Sequence, residues 1–316
     1  MFNVSAYVFR AAESIKSQAF DGLEVVLVDD GSTDNSMQVS LEILKHVSTI
    51  TIKQKNKGLS CARNAGIKAS TGEYLLFLDA DDFLLPHALK NINTALNKAV
   101  PIPDVLFGRY KCFTGKKELS SDRPYSYNPP NDAKQRTEYI LCNLPQPSWN
   151  AWRYVCRREF IINNKIFFEP GLLCEDVPWT LMLLETANTI RFLQEPFYAY
   201  YRRRQDSIMN QKNPKRIIDL NMTIANLIKA NDSRPNLCRV LVQQSFLYIN
   251  EYCTFSRGDK KLVHNSYLAV FPLYKHSNSV LHHIAAKGAN LLFFYNLSVG
   301  LFIVKHLLRM FRSEGV

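Results

Sequence analysis

The sequence is short of several features that would place it quickly. Its seven cysteines lie far apart, contain no CxxC pair and are odd in number, so neither a zinc site nor a disulfide framework is indicated and reduced thiols of a cytosol fit best. Arg10 and Glu13 interrupt any apolar run at the amino terminus and no small-residue cleavage site follows, so this stretch does not read as a secretory signal. Only 12 glycines and 14 prolines occur in 316 residues, with no low-complexity tract and no internal repeat, which excludes collagenous and disordered classes. Acidic residues thin out toward the carboxyl end: residues 1–200 hold 22 basic against 22 acidic side chains, residues 201–316 hold 17 against 6, so the net charge of +11 rests on the last third. Such a segment attracts nucleic acid, an anionic bilayer or a phosphorylated substrate. No helix-turn-helix or aromatic-basic RNA signature accompanies it, and a nucleic-acid partner is set aside.

What is present is a core-forming chain, 47% hydrophobic, long enough for one large domain or two modest ones. Apolar residues at helical spacing predict a helix over Ala6–Ser17 and another over Met37–Lys45; β-branched runs predict strands at Glu24–Val28 and Thr49–Lys53. The alternation continues with a helix over Leu59–Ala69, a strand over Tyr74–Leu78 and a helix over Pro86–Ala99 with proline in its first turn. It predicts an α/β fold with a mostly parallel central sheet covered by helices. Residues 113–147, with Pro124, Pro129, Pro130, Pro145 and Pro147, read as loop. Beyond Tyr201 the chain reads as mainly helical, including Arg216–Ala230, Leu237–Tyr252 and Asn290–Phe311.

Ligands of such sheets bind beyond the carboxyl ends of the strands, where both acidic clusters fall: Asp29-Asp30 and Asp79 to Asp82. In Asp79-Ala80-Asp81 the two-residue spacing puts both carboxylates on one face of an extended chain. Hard oxygen donors of this kind suit Mg²⁺ or Mn²⁺, which also take water and diphosphate oxygens. The competing reading is an acidic turn in which Asp81 or Asp82 caps the next helix.

Three ordered blocks carry more information. Val28-Asp29-Asp30-Gly31-Ser32-Thr33-Asp34-Asn35-Ser36, then Asn56-Lys57-Gly58-Leu59-Ser60-Cys61-Ala62-Arg63-Asn64-Ala65-Gly66, then Gly72-Glu73-Tyr74-Leu75-Leu76-Phe77-Leu78-Asp79-Ala80-Asp81-Asp82 closely resemble the family 2 glycosyltransferases of GT-A fold. The resemblance is strong over residues 2–112 and extends loosely to about residue 210. It implies a nucleotide-sugar-binding half over 1–112, an acceptor-binding half with the catalytic base over 113–210, and a mainly helical region over 211–316. It also implies inverting transfer of a sugar from a nucleotide diphosphate donor, usually a UDP-sugar, to an acceptor hydroxyl. On that resemblance Asp30 bonds the nucleotide base beside Asp29, Asp81 is the main ligand of Mn²⁺ or Mg²⁺, Asp79 lies near the ribose or the ion's water shell, and Arg63 and Asn64 lie near the nucleotide.

An inverting displacement needs a base behind the sugar to take the proton of the attacking hydroxyl. The block Gly171-Leu172-Leu173-Cys174-Glu175-Asp176-Val177-Pro178-Trp179 resembles the family's acidic pair ahead of a helix, with Asp176 in the base position and Glu175 in reserve. The alternative is a helix amino terminus whose dipole the two acids complement. Trp149 and Trp152 resemble acceptor-side aromatics, against ordinary core burial, and the nearby Arg153 stands where the family often has Lys. Arg204, in Tyr200-Tyr201-Arg202-Arg203-Arg204, resembles a late block that approaches the diphosphate, against a solvated basic face. The QxxRW signature of processive synthases is missing from this block, which favours single addition.

Family members usually open with a central strand of the type SVIIPVYN, whose last residues help to hold the base, yet here only Phe2-Asn3 matches its end. Loss of about four buried apolar side chains at about 1.5–3 kcal/mol each would rival the whole stability of a domain, about 5–15 kcal/mol, so the expectation is a start internal to a longer frame or a weakened enzyme. At the other end Leu291–Val304 is apolar and is followed by Lys305, His306, Arg309 and Arg312 alternating with apolar residues. Fourteen residues are short for a bilayer span but suit an interfacial helix on an anionic inner leaflet; a core or dimer helix is the alternative. The combined expectation is a cytoplasmic enzyme at the inner membrane that adds one sugar to a lipid-linked or oligosaccharide acceptor in surface polysaccharide synthesis. A non-catalytic nucleotide-sugar-binding module is the rival.

Overall fold

A computed structural model describes residues 1–115, 117–121, 124–125, 129–144, 149–201, 213–229, 237 and 255–270. The chain divides into two units, Met1–Ser207 and Ile208–Val316. The first begins α1 (Ser5–Lys16), β1 (Glu24–Asp29), α2 (Ser36–Ile43), β2 (Ser48–Lys53), α3 (Leu59–Ala69), β3 (Tyr74–Leu76), β4 (Phe83–Leu84) and α4 (Ala88–Lys98). It continues β5 (Val105–Thr114), β6 (Lys117–Ser121), α5 (Ala133–Glu138), β7 (Tyr154–Arg157), α6 (Arg158–Asn163), α7 (Asp176–Thr186) and β8 (Ile190–Tyr201).

The expected alternation is there, with informative differences. Among the described residues, the sheet expected to be mostly parallel is parallel only where β1 meets β2 and where β5 meets β8. The pairs β3·β7, β5·β7, β4·β8 and β5·β6 are antiparallel, so the sheet is mixed. The hydrogen-bonded order is β3-β7-β5-β8-β4, with β6 on β5, and β1-β2 stand as a separate pair. Beside β1, the Met1 ammonium donates to Val28 O at 2.5 Å and Met1 O accepts from Asp30 N at 2.9 Å. That is one step of a parallel ladder opposite Asp29. Burial, ahead of the attraction of Asp29 and Asp30, lowers the pKa of this ammonium below its usual 8.0.

Part of the segment expected to be loop is strand and helix. β5 runs on to Thr114, β6 follows, and Asp132 caps α5 by accepting from Gln135 N at 2.9 Å. Every residue of β6 is exposed, so no buried face wrote an alternation into its sequence, and backbone pairing to β5 alone defines it. Pro86 lies outside α4, which starts at Ala88 after His87 in the left-handed region. Leu85 N instead bonds Phe197 O, extending the pairing of β4 with β8.

The core centres on β5, β7 and β8, where Phe107, Tyr154, Phe197 and Tyr198 are fully buried. Gly108 is required there, because a Cβ on it would stand 2.0 Å from the Phe197 ring. Arg153 is buried between the rings of Phe107 and Tyr110 and donates to Gly108 O and the Tyr125 hydroxyl. It is a core cation.

The second unit contains α8 (Pro214–Lys229) and α9 (Arg257–Val270). Asn221 of α8 donates to the Ser266 hydroxyl at 3.0 Å. The expected helices over Leu237–Tyr252 and Asn290–Phe311, the basic tail and Arg204 lie outside the described residues, apart from Leu237 itself, which is helical. Among the described residues no helix is long and apolar enough to cross a membrane.

Candidate active site

The pleat of β1 buries Val25, Leu27 and Asp29 on one face, so the strand's own period carries a carboxylate to the edge of the core. The chain turns at Gly31 with φ +86°, where a Cβ would stand 2.9 Å from Asn56 N, and Ser32 N donates to Asp29 Oδ1. Asp30 reaches across to the loop ahead of α3: it accepts from Gln54 Nε2 at 2.6 Å and from Lys57 N and Gly58 N, each at 2.9 Å. A carboxylate has about four acceptor positions, so this one retains capacity for a further donor such as a base N–H.

Just past β3 the chain forms a tight acidic turn. Asp82 N bonds Asp79 O, the Tyr198 hydroxyl donates to Asp82 Oδ2 at 2.7 Å, and Tyr201 N donates to Asp82 Oδ1 at 2.7 Å. Neither Asp81 nor Asp82 caps α4, whose N-cap is His87. Burial above all, then the charges of Asp79 and Asp81, push the Asp82 carboxyl well above the usual range.

The two acidic motifs meet at α3. Arg63, whose side chain is 6% exposed, donates from Nη2 to Asp79 at 3.1 Å and from Nη1 to Glu175 at 3.0 Å and Asp176 at 2.5 Å. Phe168 packs under the guanidinium at 5.1 Å. Burial works against the charge on Arg63, but Asp176, Asp79 and Glu175 outweigh it and hold the pKa above its ordinary value. Asp176 opens α7, and Ala151 N–H bonds its carboxylate. Burial, opposed by Arg63 and reinforced by Glu175 and Asp79, pushes Asp176 up to about 7. Burial likewise raises Glu175, with Arg63 opposing.

Of the residues expected here, Arg63, Asp79, Glu175 and Asp176 come together. Asn64 does not face that centre through its amide hydrogen bonds: Nδ2 donates to Phe168 O and Oδ1 accepts from Phe168 N, pinning that segment to α3. Trp152 is 3% exposed and stacked on Tyr198 with centroids 4.3 Å apart, which places it in the core. Trp149 is also buried; its carbonyl accepts from Thr180, and its Nε1 has no hydrogen-bond partner among the described residues. Sequence reasoning missed Tyr198 and Tyr201, which anchor the acidic turn. Their only signal was proximity to the basic run after β8.

Three carboxylates sharing one guanidinium leave the cluster net negative, and Asp81 adds another charge two residues along. Hard oxygen donors with excess negative charge fit Mn²⁺ or Mg²⁺. Among the described residues no group of three or more His, Cys, Asp or Glu is placed to hold a metal ion.

A mixed α/β sheet flanked by helices, with acidic turns at two strand ends, defines a GT-A type glycosyltransferase fold. Residues 1–154 match Glycosyl transferase family 2. It is 31% identical over 207 residues to the uncharacterized glycosyltransferase YibD of Escherichia coli (strain K12), covering 64% of this chain and 59% of that protein. Against the first curated relatives it matches, the chain spans 58–59% of their length. Among solved structures, S. aureus TarS 1–349 in complex with UDP-GlcNAc aligns with TM-score 0.69 at 19% identity, over 99% of this chain and 90% of that one. The mannosyltransferase PcManGT of Pyrobaculum calidifontis, in complex with GDP-Man and Mn²⁺, aligns at 0.53 with 14% identity, over 98% and 83%.

Proposed function

We propose that the protein transfers a single sugar, with inversion, from a nucleotide diphosphate donor to an acceptor hydroxyl, with Asp176 as general base. The observation that carries this reading is the convergence of Asp79, Glu175 and Asp176 on Arg63. Two motifs far apart in the chain thereby form one polar centre. Asp176 opens a helix and stands beside that centre with a pKa of about 7, near the optimum for a base at neutral pH. It takes the proton of the acceptor hydroxyl as the new C–O bond forms and the bond to the diphosphate breaks. Arg63 favours the ionised form of Asp176 and so keeps the base ready.

Asp81 with Asp79 would hold Mn²⁺ or Mg²⁺, which supplies positive charge against the departing diphosphate. Asp30, with Asp29 shaping its turn, receives the base. Arg204 is assigned to the diphosphate and Trp149 to the acceptor. The UDP-GlcNAc and UDP complexes of TarS support a UDP-sugar donor. The acceptor is assigned as a lipid-linked or oligosaccharide chain of surface polysaccharide synthesis, met at the cytoplasmic face of the inner membrane by the basic last third. The test is Mn²⁺-dependent release of UDP from a panel of UDP-sugars, which Asp176→Asn is expected to lower by about 10²- to 10⁴-fold; release within tenfold of the wild type in this variant overturns the assignment of the base.

A further inference from the structure

Arg10 and Ser14 lie one turn apart on one face of α1, and Gln18 follows just past its end. All three bond the segment that runs from the acidic turn into α4. Arg10 Nη2 donates to Asp81 O at 2.9 Å, the Ser14 hydroxyl accepts from Leu84 N at 3.0 Å, and Gln18 bonds both Leu85 O and Leu89 N. Arg10 differs from the other two. Its guanidinium lies 3.7 Å from the ring centre of Tyr201 and 4.8 Å from that of Phe83. Its Nε is buried without a hydrogen-bond partner among the described residues, so the group is held by Nη2 and the two rings.

Tyr201 in turn donates its N–H to Asp82 at 2.7 Å and its hydroxyl accepts from Gly115 N at 3.1 Å. The turn is therefore gripped at the Asp81 carbonyl by α1 and at the Asp82 carboxylate by the end of β8, and Arg10 touches both grips. We infer that Arg10 is a positioning residue for the metal–nucleotide site: it fixes the Asp81 backbone against β8, so that the Asp81 carboxylate is preorganised for the ion before the donor arrives. This rests on the assignment of Asp81 as metal ligand. Preorganisation matters because ligand groups must be held to within about 0.5 Å for full affinity, and a planar cation stacked on an aromatic ring is a stiff means of holding them.

The experiment is a Mn²⁺ titration, in the presence of UDP, read from loss of the free Mn²⁺ electron paramagnetic resonance signal. It is run on the wild type, Arg10→Ala, Arg10→Lys and Gln18→Ala, with the melting temperature of each. Arg10→Ala is expected to weaken Mn²⁺ binding about tenfold, as loss of one charged hydrogen bond implies. Arg10→Lys, which keeps the charge but not the planar stack, falls between. Gln18→Ala is expected to lower the melting temperature while leaving Mn²⁺ affinity within twofold of wild type. Arg10→Ala and Arg10→Lys both binding Mn²⁺ as the wild type does overturns the inference, as does a Gln18→Ala loss equal to that of Arg10→Ala, since the effect would then be loosening of the helix. Absence of Mn²⁺ binding by the wild type overturns the metal assignment and this inference with it.

Discussion

Asp30 and Asp79 stand at comparable places, each at or just past the carboxyl end of a strand, yet their oxygens meet different partners. Asp30 accepts from two backbone N–H groups and one side-chain amide, all neutral. Asp79 shares a guanidinium with Glu175 and Asp176, in a cluster with more negative than positive charge. Neutral donors organise a loop and leave the charge where a ligand's donor can use it. A shared cation among excess acids makes a centre whose protonation is set by its own charges, as the raised Asp176 carboxyl shows. The same residue type thus builds a scaffold at one end and chemistry at the other.

The contrast is broken most directly at Asp176. Asp176→Asn is expected to lower UDP release by about 10²- to 10⁴-fold, the usual worth of a general base, with little change in donor KM. A loss under tenfold would mean that the Arg63 cluster is only structural. Arg63→Ala comes next: removing the one cation leaves three carboxylates uncompensated, and breaking a buried ion pair from one side costs about 3–5 kcal/mol. Thermal unfolding at pH 8 should show that loss, and acidification should restore part of it by protonating the acids. Equal melting temperatures for variant and wild type would refute the charge account.

The pH profile sharpens the same point. With Asp176 titrating at about 7, kcat/KM should fall tenfold per unit as pH drops below about 7, because only the ionised form accepts a proton. Stability runs the other way. The folded carboxyl holds its proton up to about 7 while an ordinary aspartate releases it near 3.8, so this group's contribution declines as pH rises from about 4 to about 7 and stays lost above. Asp176→Asn should therefore flatten that part of the stability curve while it abolishes turnover, a separation that a plain folding defect does not produce.

Much of this was legible in the residues. α3 runs over Leu59–Ala69 as its apolar spacing predicts, and the acidic blocks lie beyond strand ends. Arg63, Glu175 and Asp176 each stand in a recognisable block of the sequence, and the fold brings them together. What the sequence hid was partner choice. Nothing in Ala62-Arg63-Asn64-Ala65 says that the arginine turns to three acids while the next residue pins Phe168, because neighbouring helical positions point about 100° apart into surroundings made by distant segments. Trp152 was equally open until β8 supplied Tyr198 to cover it. Strand β6 had no buried face to betray it, and the anchoring tyrosines Tyr198 and Tyr201 act through long-range bonds that no local pattern encodes.

The smallest expected effect tests the scaffold side. In Asp30→Asn one oxygen is kept and the other becomes an NH₂ group, which cannot accept from Lys57 N or Gly58 N, so a part-buried backbone donor faces another donor. The cost of one such unmet group is about 1–3 kcal/mol, about 2–4 °C in melting temperature per kcal/mol for a unit of this size. Gly58, with φ +86°, is the N-cap of α3, so loosening its N–H frays the start of the helix that carries Arg63 one and a half turns further on. Donor KM should rise several-fold, since the loop and the carboxylate proposed to receive the base are both disturbed, while kcat measured at saturating donor stays within a few-fold of wild type. A collapse of kcat comparable to that of Asp176→Asn would show that the two acidic ends act as one electrostatic unit and that dividing them by partner chemistry is mistaken.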